Sequence, residues 1–251
     1  MRIDHPTDAE ISGLRQLWKE AFGDTDGFLD AFFSTGFSPE RCLYAGEGGT
    51  VAAALYWFHG SCDHKKIAYI YALATKESHR GRGIARALLE RAAETLKDQG
   101  VSGMLLVPGG PTLFDMYRKL GFADTLRADT LAAEAAGPPI PVRQLSAEEY
   151  GYLRRAFLPE GSVVQEGENL AFLASYAELY AGDGWLLAGV LEDDRFTGME
   201  FLGDRRAAPG ILAALGAKSG TFHTPGEARP FAQYRSLDGT PAPRYFGLAF
   251  D

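Results

Sequence analysis

Apolar residues recur along this chain with two different periods. Leu14, Leu17, Trp18, Ala21 and Phe22 return every three or four positions, which lines one face of a helix. Thr7 and Glu10 stand ahead of them at the spacing of a capping box. The pattern predicts a short strand over Met1–His5 and a second short helix over Asp26–Phe33. Cys42–Gly46 and Val51–Phe58 read as a hairpin with Gly48-Gly49 at the turn. Ile67–Ala74 is continuously apolar, as expected of a central strand covered on both faces. A Gly-rich turn follows, then a helix whose stripe is Ile84, Leu88, Leu89, Ala92 and Leu96. Met104–Val107 predicts another buried strand, and Leu113–Leu120 a helix stopped by Gly121. Tyr245–Phe250 predicts an apolar terminal strand, with Asp251 last. Alternating strands and helices give the class α/β (α+β) with a mixed sheet.

The second half echoes the first. Ser146-Ala147-Glu148-Glu149 repeats the capping-box spacing, and Leu187-Ala188-Gly189 resembles Tyr44-Ala45-Gly46 at an offset of 143. At an offset of 117, Ser102, Gly103, Pro108 and Gly109 match Ser219, Gly220, Pro225 and Gly226. Phe114, Tyr117, Arg118 and Leu120 then match Phe231, Tyr234, Arg235 and Leu237. The fall in offset predicts a tandem repeat whose second copy has lost about 26 residues from its middle, the central strand and the Gly-rich turn. Ala135–Pro141, with three prolines and a glycine, reads as the linker between residues 1–134 and 142–251.

Composition narrows the function. The 251 residues are 46% apolar and 23% charged, values of a folded globular chain. The net charge of −8 argues against a general nucleic-acid binder. Cys42 and Cys62 form no C-x-x-C pair and lie in or beside apolar strands, so they read as small core residues. The five histidines, His5, His59, His64, His79 and His223, show no metal-ligand spacing. No apolar run follows the N-terminus and no stretch is long enough for a membrane span, so a soluble, cytoplasmic protein is expected.

The informative segment is Lys66–Ala93. An apolar strand ends near Thr75, and His79-Arg80-Gly81-Arg82-Gly83-Ile84-Ala85 leads directly into a helix. The first turn of a helix offers free N–H groups and the positive end of its dipole. Gly81 and Gly83 let backbone approach an anion, and Arg80 and Arg82 add positive charge. The dinucleotide fingerprint G-x-G-x-x-G fails at Arg86, and no Gly-Lys-Ser/Thr follows for a P-loop. Arg80-x-x-Gly83-x-Ala85 after a central strand closely resembles the acyl-CoA loop of the GNAT superfamily of N-acyltransferases. Tyr117-Arg118-Lys119-Leu120-Gly121-Phe122 is similar to the family's ending for the helix after the fifth strand. The resemblance covers most of Met1–Thr130.

It implies a GNAT fold, a mixed and mostly antiparallel sheet flanked by helices, followed here by a truncated GNAT-like second domain without the pyrophosphate loop. It implies that backbone at Leu73, Ala74 and Thr75 holds the pantetheine arm of acetyl-CoA, with an amide near Ala74 polarising the thioester. It further implies that Arg80, Gly81, Arg82, Gly83, Ile84 and Ala85 bind the pyrophosphate and that Tyr117 protonates the departing thiolate. Lys76 departs from the family's usual proline. Tyr234, without a loop beside it, reads as a packing residue. For the base, Asp63-His64 reads more simply as a solvated turn, Glu20, Asp24 and Asp26 stand near the end of the first helix, and the terminal carboxylates at Asp251 are a further candidate.

The expected function is therefore an N-acetyltransferase that moves an acetyl group from acetyl-CoA to a small-molecule or peptide amine, without nucleic-acid or membrane partners. The acidic balance leans toward a cationic acceptor such as a polyamine, an aminoglycoside-like amine or a peptide amine. The alternative is a non-catalytic acetyl-CoA sensor or a protein-interaction module.

Overall fold

Thr7 and Glu10 form the capping box that their spacing predicts, and a short 3-10 turn after it leads into helix α1 (Ile11–Phe22). The computed structural model describes residues 1–250. α1 buries Leu14, Leu17 and Trp18, and α2 (Asp26–Ala31) runs on through a π turn over Phe32–Gly36. The first half supplies strands β1 (Arg2–Asp4), β2 (Cys42–Glu47), β3 (Thr50–Cys62), β4 (Lys65–Thr75), β5 (Val101–Leu106) and β6 (Ala123–Glu134). Helix α3 (Ile84–Asp98) joins β4 to β5, and α4 (Pro111–Arg118) follows β5. The second half runs through β7 (Arg143–Gln144), α5 (Ala147–Phe157), β8 (Val164–Gln165), α6 (Glu168–Leu173), β9 (Glu178–Gly182), β10 (Trp185–Glu192), β11 (Arg195–Gly203), α7 (Ala208–Leu215), β12 (Ser219–Pro225) and β13 (Arg229–Ser236).

All thirteen strands share one sheet, in the order β1-β2-β3-β4-β5-β13-β6-β12-β11-β10-β9-β7, with β8 on β3. The order reads alike from both ends. Each arm has one parallel pair, β4/β5 and β11/β12, and a helix makes each crossover, as parallel strands require. The last strand of each half crosses over: β13 lies on β5, and β6 lies on β12. The mixed, mostly antiparallel sheet flanked by helices is the expected class.

Three expectations need correction. The central strand of the second half is present as β11; the shortening falls on the loop after it and on α7, 8 residues against 15 in α3. The offset of 117 holds from β5 to β12 but then sets α4 against β13, a helix against a strand, so those four identities mark no equivalent positions. Tyr245–Phe250 forms no strand. Only Tyr245 makes a bridge, to Ser162. Two further carbonyls of that buried segment accept from side chains, Leu248 O from Gln165 Nε2 at 2.8 Å and Phe250 O from Tyr71 Oη at 2.9 Å, and Ala249 N–H turns back on Gly247 O at 3.1 Å. The terminal carboxylates at Asp251 lie outside the described residues.

Residues 135–141 are tied down rather than free. The amides of Ala135, Ala136 and Ile140 donate to the carbonyls of Lys218, Pro209 and Gly210. The largest core joins the halves, combining α1, α2, α5 and α6 with the sheet and the segment around Phe246–Phe250. Separate cores lie under α3 and α4 and under α7.

Candidate active site

β4 and β5 part company at the site. β3 pairs with β4 from Cys62↔Lys65 to Ala53↔Thr75, but β5 pairs with it only from Lys66↔Val101 to Tyr69↔Leu105. Beyond Tyr69 the second edge of β4 has no partner strand. A register shift on the β3 side accompanies Ala72, a non-glycine residue at φ 48°. Such a bulge bends a strand and re-aims the residues after it, and the left-handed backbone costs on the order of 1 kcal/mol.

Lys76 N–H donates to Ala52 O across the ladder at 2.8 Å. By the two-residue period the Ala74 N–H also turns toward β3, which leaves the amides of Leu73 and Thr75 on the open side. An amide near Ala74 that is open to a bound carbonyl is thus that of a neighbour, Leu73 or Thr75.

The loop into α3 carries Gly81 and Gly83, both at φ 75°. Any side chain there would strain the backbone. Gly83 is the N-cap of α3 and brings no capping side chain, so the first-turn N–H groups face outward with the helix dipole behind them. Arg80 Nε donates to Thr75 O at 3.1 Å and fastens the loop to β4. Arg82 reaches instead to Glu47 at the end of β2, with bonds of 2.9 and 3.0 Å. Its guanidinium holds the Glu47 carboxyl below the usual range.

A cleft of about 610 Å³ opens where β4 leaves β5. Leu73, Ala74, Thr75, Arg80, Gly81, Gly83, Ile84 and Ala85 all line it; Arg82 alone of the expected donor-site residues does not. Tyr117, from α4, lines the same cleft. It is buried, with its ring edge-on to Phe122 at 5.9 Å, and burial pushes its hydroxyl up to about 12. At neutral pH it therefore keeps its proton.

Residues 2–124 match the family model of the acetyltransferase (GNAT) domain. The N-terminal half of the chain belongs to the GNAT family. Among solved structures, a GCN5-related N-acetyltransferase from Kribbella flavida superposes with a TM-score of 0.68 at 18% identity, covering 94% of this chain and 72% of that one. One from Anabaena variabilis gives 0.70 at 13% identity, with the same 94% and 72% coverage. A putative acetyltransferase from Pyrococcus horikoshii gives 0.59 at 16% identity, covering 99% of this chain and 94% of that one. At these identities the likeness shows the fold, and it runs through both halves. No curated protein matches the sequence.

A second cavity of about 350 Å³ adjoins the cleft of the GNAT domain. Phe22, Leu73, Leu113 and Tyr117 line both, so the tyrosine stands at their junction. Trp18, Asp24, Phe28 and Tyr71 continue the wall, and the second half adds Tyr176 and Phe250. The sequence offered the carboxylates at the end of this tail as a candidate base but singled out neither Tyr176 nor Phe250, which arrive from positions more than 50 residues beyond the GNAT domain.

The other named residues separate cleanly. Asp63 and His64, both exposed and at positive φ, form the two-residue turn between β3 and β4, at the far end of β4 from the cleft. Glu20 lies 3.6 Å from Lys76 Nζ, and Asp26 pairs with Lys19. Asp24 alone of the three lines the cavity, where it accepts a 2.7 Å hydrogen bond from Trp18 Nε1. Tyr234 packs over Gly103, where a Cβ would come within 2.1 Å of its hydroxyl. Burial raises the thiols of Cys42 and Cys62, the latter to about 11, which leaves both unreactive near neutral pH. Among the described residues no helix is long and apolar enough to cross a membrane.

Proposed function

We propose that the protein is an N-acetyltransferase that takes its acetyl group from acetyl-CoA, with a single donor site in residues 1–134. The observation that carries this reading is the convergence of three elements on one cleft: the unpaired edge of β4, the double-glycine N-terminus of α3 and the protonated Tyr117. The N–H groups of Gly81–Ala85 and the Arg80 side chain suit a pyrophosphate. The open edge of β4 suits an amide-bearing arm laid down like an added strand. The Leu73 or Thr75 amide suits the thioester oxygen.

The chemistry asks little more of the chain. A neutral amine nitrogen attacks the thioester carbon; the carbon–nitrogen bond forms, the carbon–sulfur bond breaks, the sulfur takes the Tyr117 proton, and the proton that the nitrogen gives up restores the tyrosine through solvent. Most of the rate would come from holding the two reactants together.

Residues 142–251 form, in this reading, a second copy of the same fold that lost its donor loop. The palindromic strand order supports it. Between β11 and α7 the counterpart of the Gly/Arg loop is only residues 204–207, which contain no glycine. The role left to this copy is to wall the acceptor cavity with Tyr176 and Phe250.

Calorimetric titration with acetyl-CoA tests the donor site. The parent should bind one equivalent, and Gly83→Asp, which places a charge and a side chain at the α3 N-cap, should bind none while remaining folded. A folded parent that ignores acetyl-CoA would sink the reading.

A further inference from the structure

We infer that the acceptor is a primary amine with one positive charge on an apolar body of about the size of an aromatic ring, and that Asp24 selects it. This rests on the acetyltransferase reading and names the substrate class for it.

Trp18, Phe28, Tyr71, Tyr176 and Phe250 bring five rings to the second cavity of about 350 Å³, the lower end of the range for small-ligand pockets. Aromatic walls shed water from an apolar body, and ring faces also attract a cation. Among the described residues lining this cavity, Asp24 is the one charged side chain. It sits between α1 and α2, and the bond from Trp18 Nε1 fixes its orientation. A carboxylate has about four acceptor positions, so one indole bond leaves capacity for an ammonium.

Among the described residues, one carboxylate matches one ammonium. A polyamine or an aminoglycoside would bring several charges and hydroxyls into a ring-lined space, each stripped of water with nothing to replace it. A peptide amine would bring backbone groups with the same difficulty. An amino acid would set its own carboxylate against Asp24, and no lysine or arginine lines the cavity to offset it. The acidic sequence leans toward a cationic acceptor, and the local surface narrows that leaning to a single charge: net charge describes the whole chain, whereas selection happens at one aspartate. Tyr117 and Asp24 line the same cavity, so an amine bound there has the thioester end of the donor cleft next to it. It sheds one proton to solvent as the free amine, the neutral nitrogen bonds to the acyl carbon as the carbon–sulfur bond breaks, the sulfur takes the Tyr117 proton, and the second proton that the nitrogen gives up restores the tyrosine.

Trp18 supplies a readout that needs no turnover. It is the tryptophan on this cavity, while Trp57 and Trp185 are 1% exposed in the other two cores. Quenching of tryptophan fluorescence would be followed with 2-phenylethylamine, 2-phenylethanol, spermidine and kanamycin, with and without saturating CoA. The amine should bind roughly tenfold or more tightly than the alcohol and than either polycation. Asp24→Asn keeps an acceptor for Trp18 Nε1, so it should retain the fold and the acetyl-CoA affinity. It should lose roughly tenfold in phenylethylamine affinity and leave the alcohol unchanged. In thiol-release assays with acetyl-CoA, phenylethylamine should outrun both polycations. Tighter binding of spermidine or kanamycin, equal binding of the alcohol, or an indifferent Asp24→Asn would overturn the assignment. Absence of acetyl-CoA binding by calorimetry would instead overturn the acetyltransferase reading, and the titration without CoA still tests the cavity.

Discussion

Arg154 grips Glu200 through two hydrogen bonds, 2.6 Å from Nε and 2.9 Å from a terminal nitrogen, with the two side chains 1% and 0% exposed. Tyr150 and Tyr245 each donate a further bond of 3.2 Å, so four donors surround one carboxylate. Tyr245 begins the segment that ends at Phe250 on the second cavity. Gly247 passes so close that a Cβ there would lie 1.9 Å from Glu200 Oε1. The second half therefore anchors its own tail into the first half's site through this pair. A buried charge left without its partner costs about 3–5 kcal/mol, whereas replacing the whole pair with apolar groups is often neutral. Glu200→Ala should accordingly lower stability by about that amount. The double variant Arg154→Met/Glu200→Leu should recover most of it. Urea unfolding of the three proteins measures this; equal losses in single and double variants would contradict it.

Tyr117→Phe keeps the ring that packs on Phe122 and removes only the hydroxyl. If the hydroxyl protonates the thiolate, kcat should fall about 10²-fold or more, the usual worth of a general acid. Acetyl-CoA affinity should stay within about twofold, because the backbone of β4 and α3 does the holding. Comparison of thiol release with calorimetric affinity separates the two. An unchanged kcat would assign the proton to another donor, and a sensor that never turns over would lose nothing.

The cleft proposed as the donor site was legible because its pieces are contiguous. Leu73–Thr75 and Arg80–Ala85 lie within thirteen residues, and local rules bring them together: a strand end, two left-handed glycines and a helix start. The cavity proposed for the acceptor was not legible. Asp24 looked no different from Glu20 or Asp26, since only the fold decides which of three nearby carboxylates turns inward. Tyr176 and Phe250 come from the other half, and nothing in their local pattern states where they land. The exchange of β6 and β13 hid for a similar reason. Each strand reads the same whether it pairs at home or across the middle of the sheet. Tyr245–Phe250 misled because an apolar run predicts burial without saying whether a ladder or side chains will satisfy its backbone.

Glu47 holds a charge that the proposed donor could use. Arg82 is held by its carboxylate, and both side chains are near half exposed, at 47% and 40%. A pair this open is worth at most about 1 kcal/mol, so a pyrophosphate at the loop can draw Arg82 away. The carboxylate also repels the phosphates. Both effects push in one direction: Glu47→Gln should tighten acetyl-CoA binding by about two- to fivefold at low salt. The gain should shrink in about 0.5 M salt, where screening removes it. Arg82→Ala should weaken binding, and Glu47→Gln should then add little. Weaker binding by Glu47→Gln in an otherwise intact protein would mean that Glu47 positions Arg82 rather than withholding it.

Buried tyrosines set an alkaline limit. Burial raises the hydroxyls of Tyr56, Tyr150 and Tyr245, and that of Tyr117 from 10.0 to about 12. The folded chain thus keeps protons that the unfolded chain releases above pH 10. Below that pH the stabilisation is fully present; above it the unfolded state gains with every step until the folded values are passed. Tyr117 alone would account for a loss on the order of 2–3 kcal/mol by about pH 12. Melting temperature should therefore hold steady from about pH 7 to 9 and drop steeply beyond about pH 10. Tyr117→Phe, which carries no titrating hydroxyl, should show a shallower drop. A melting temperature that stays level to about pH 11.5, or a variant whose drop is as steep as the parent's, would show that these rings meet water at high pH before the chain unfolds.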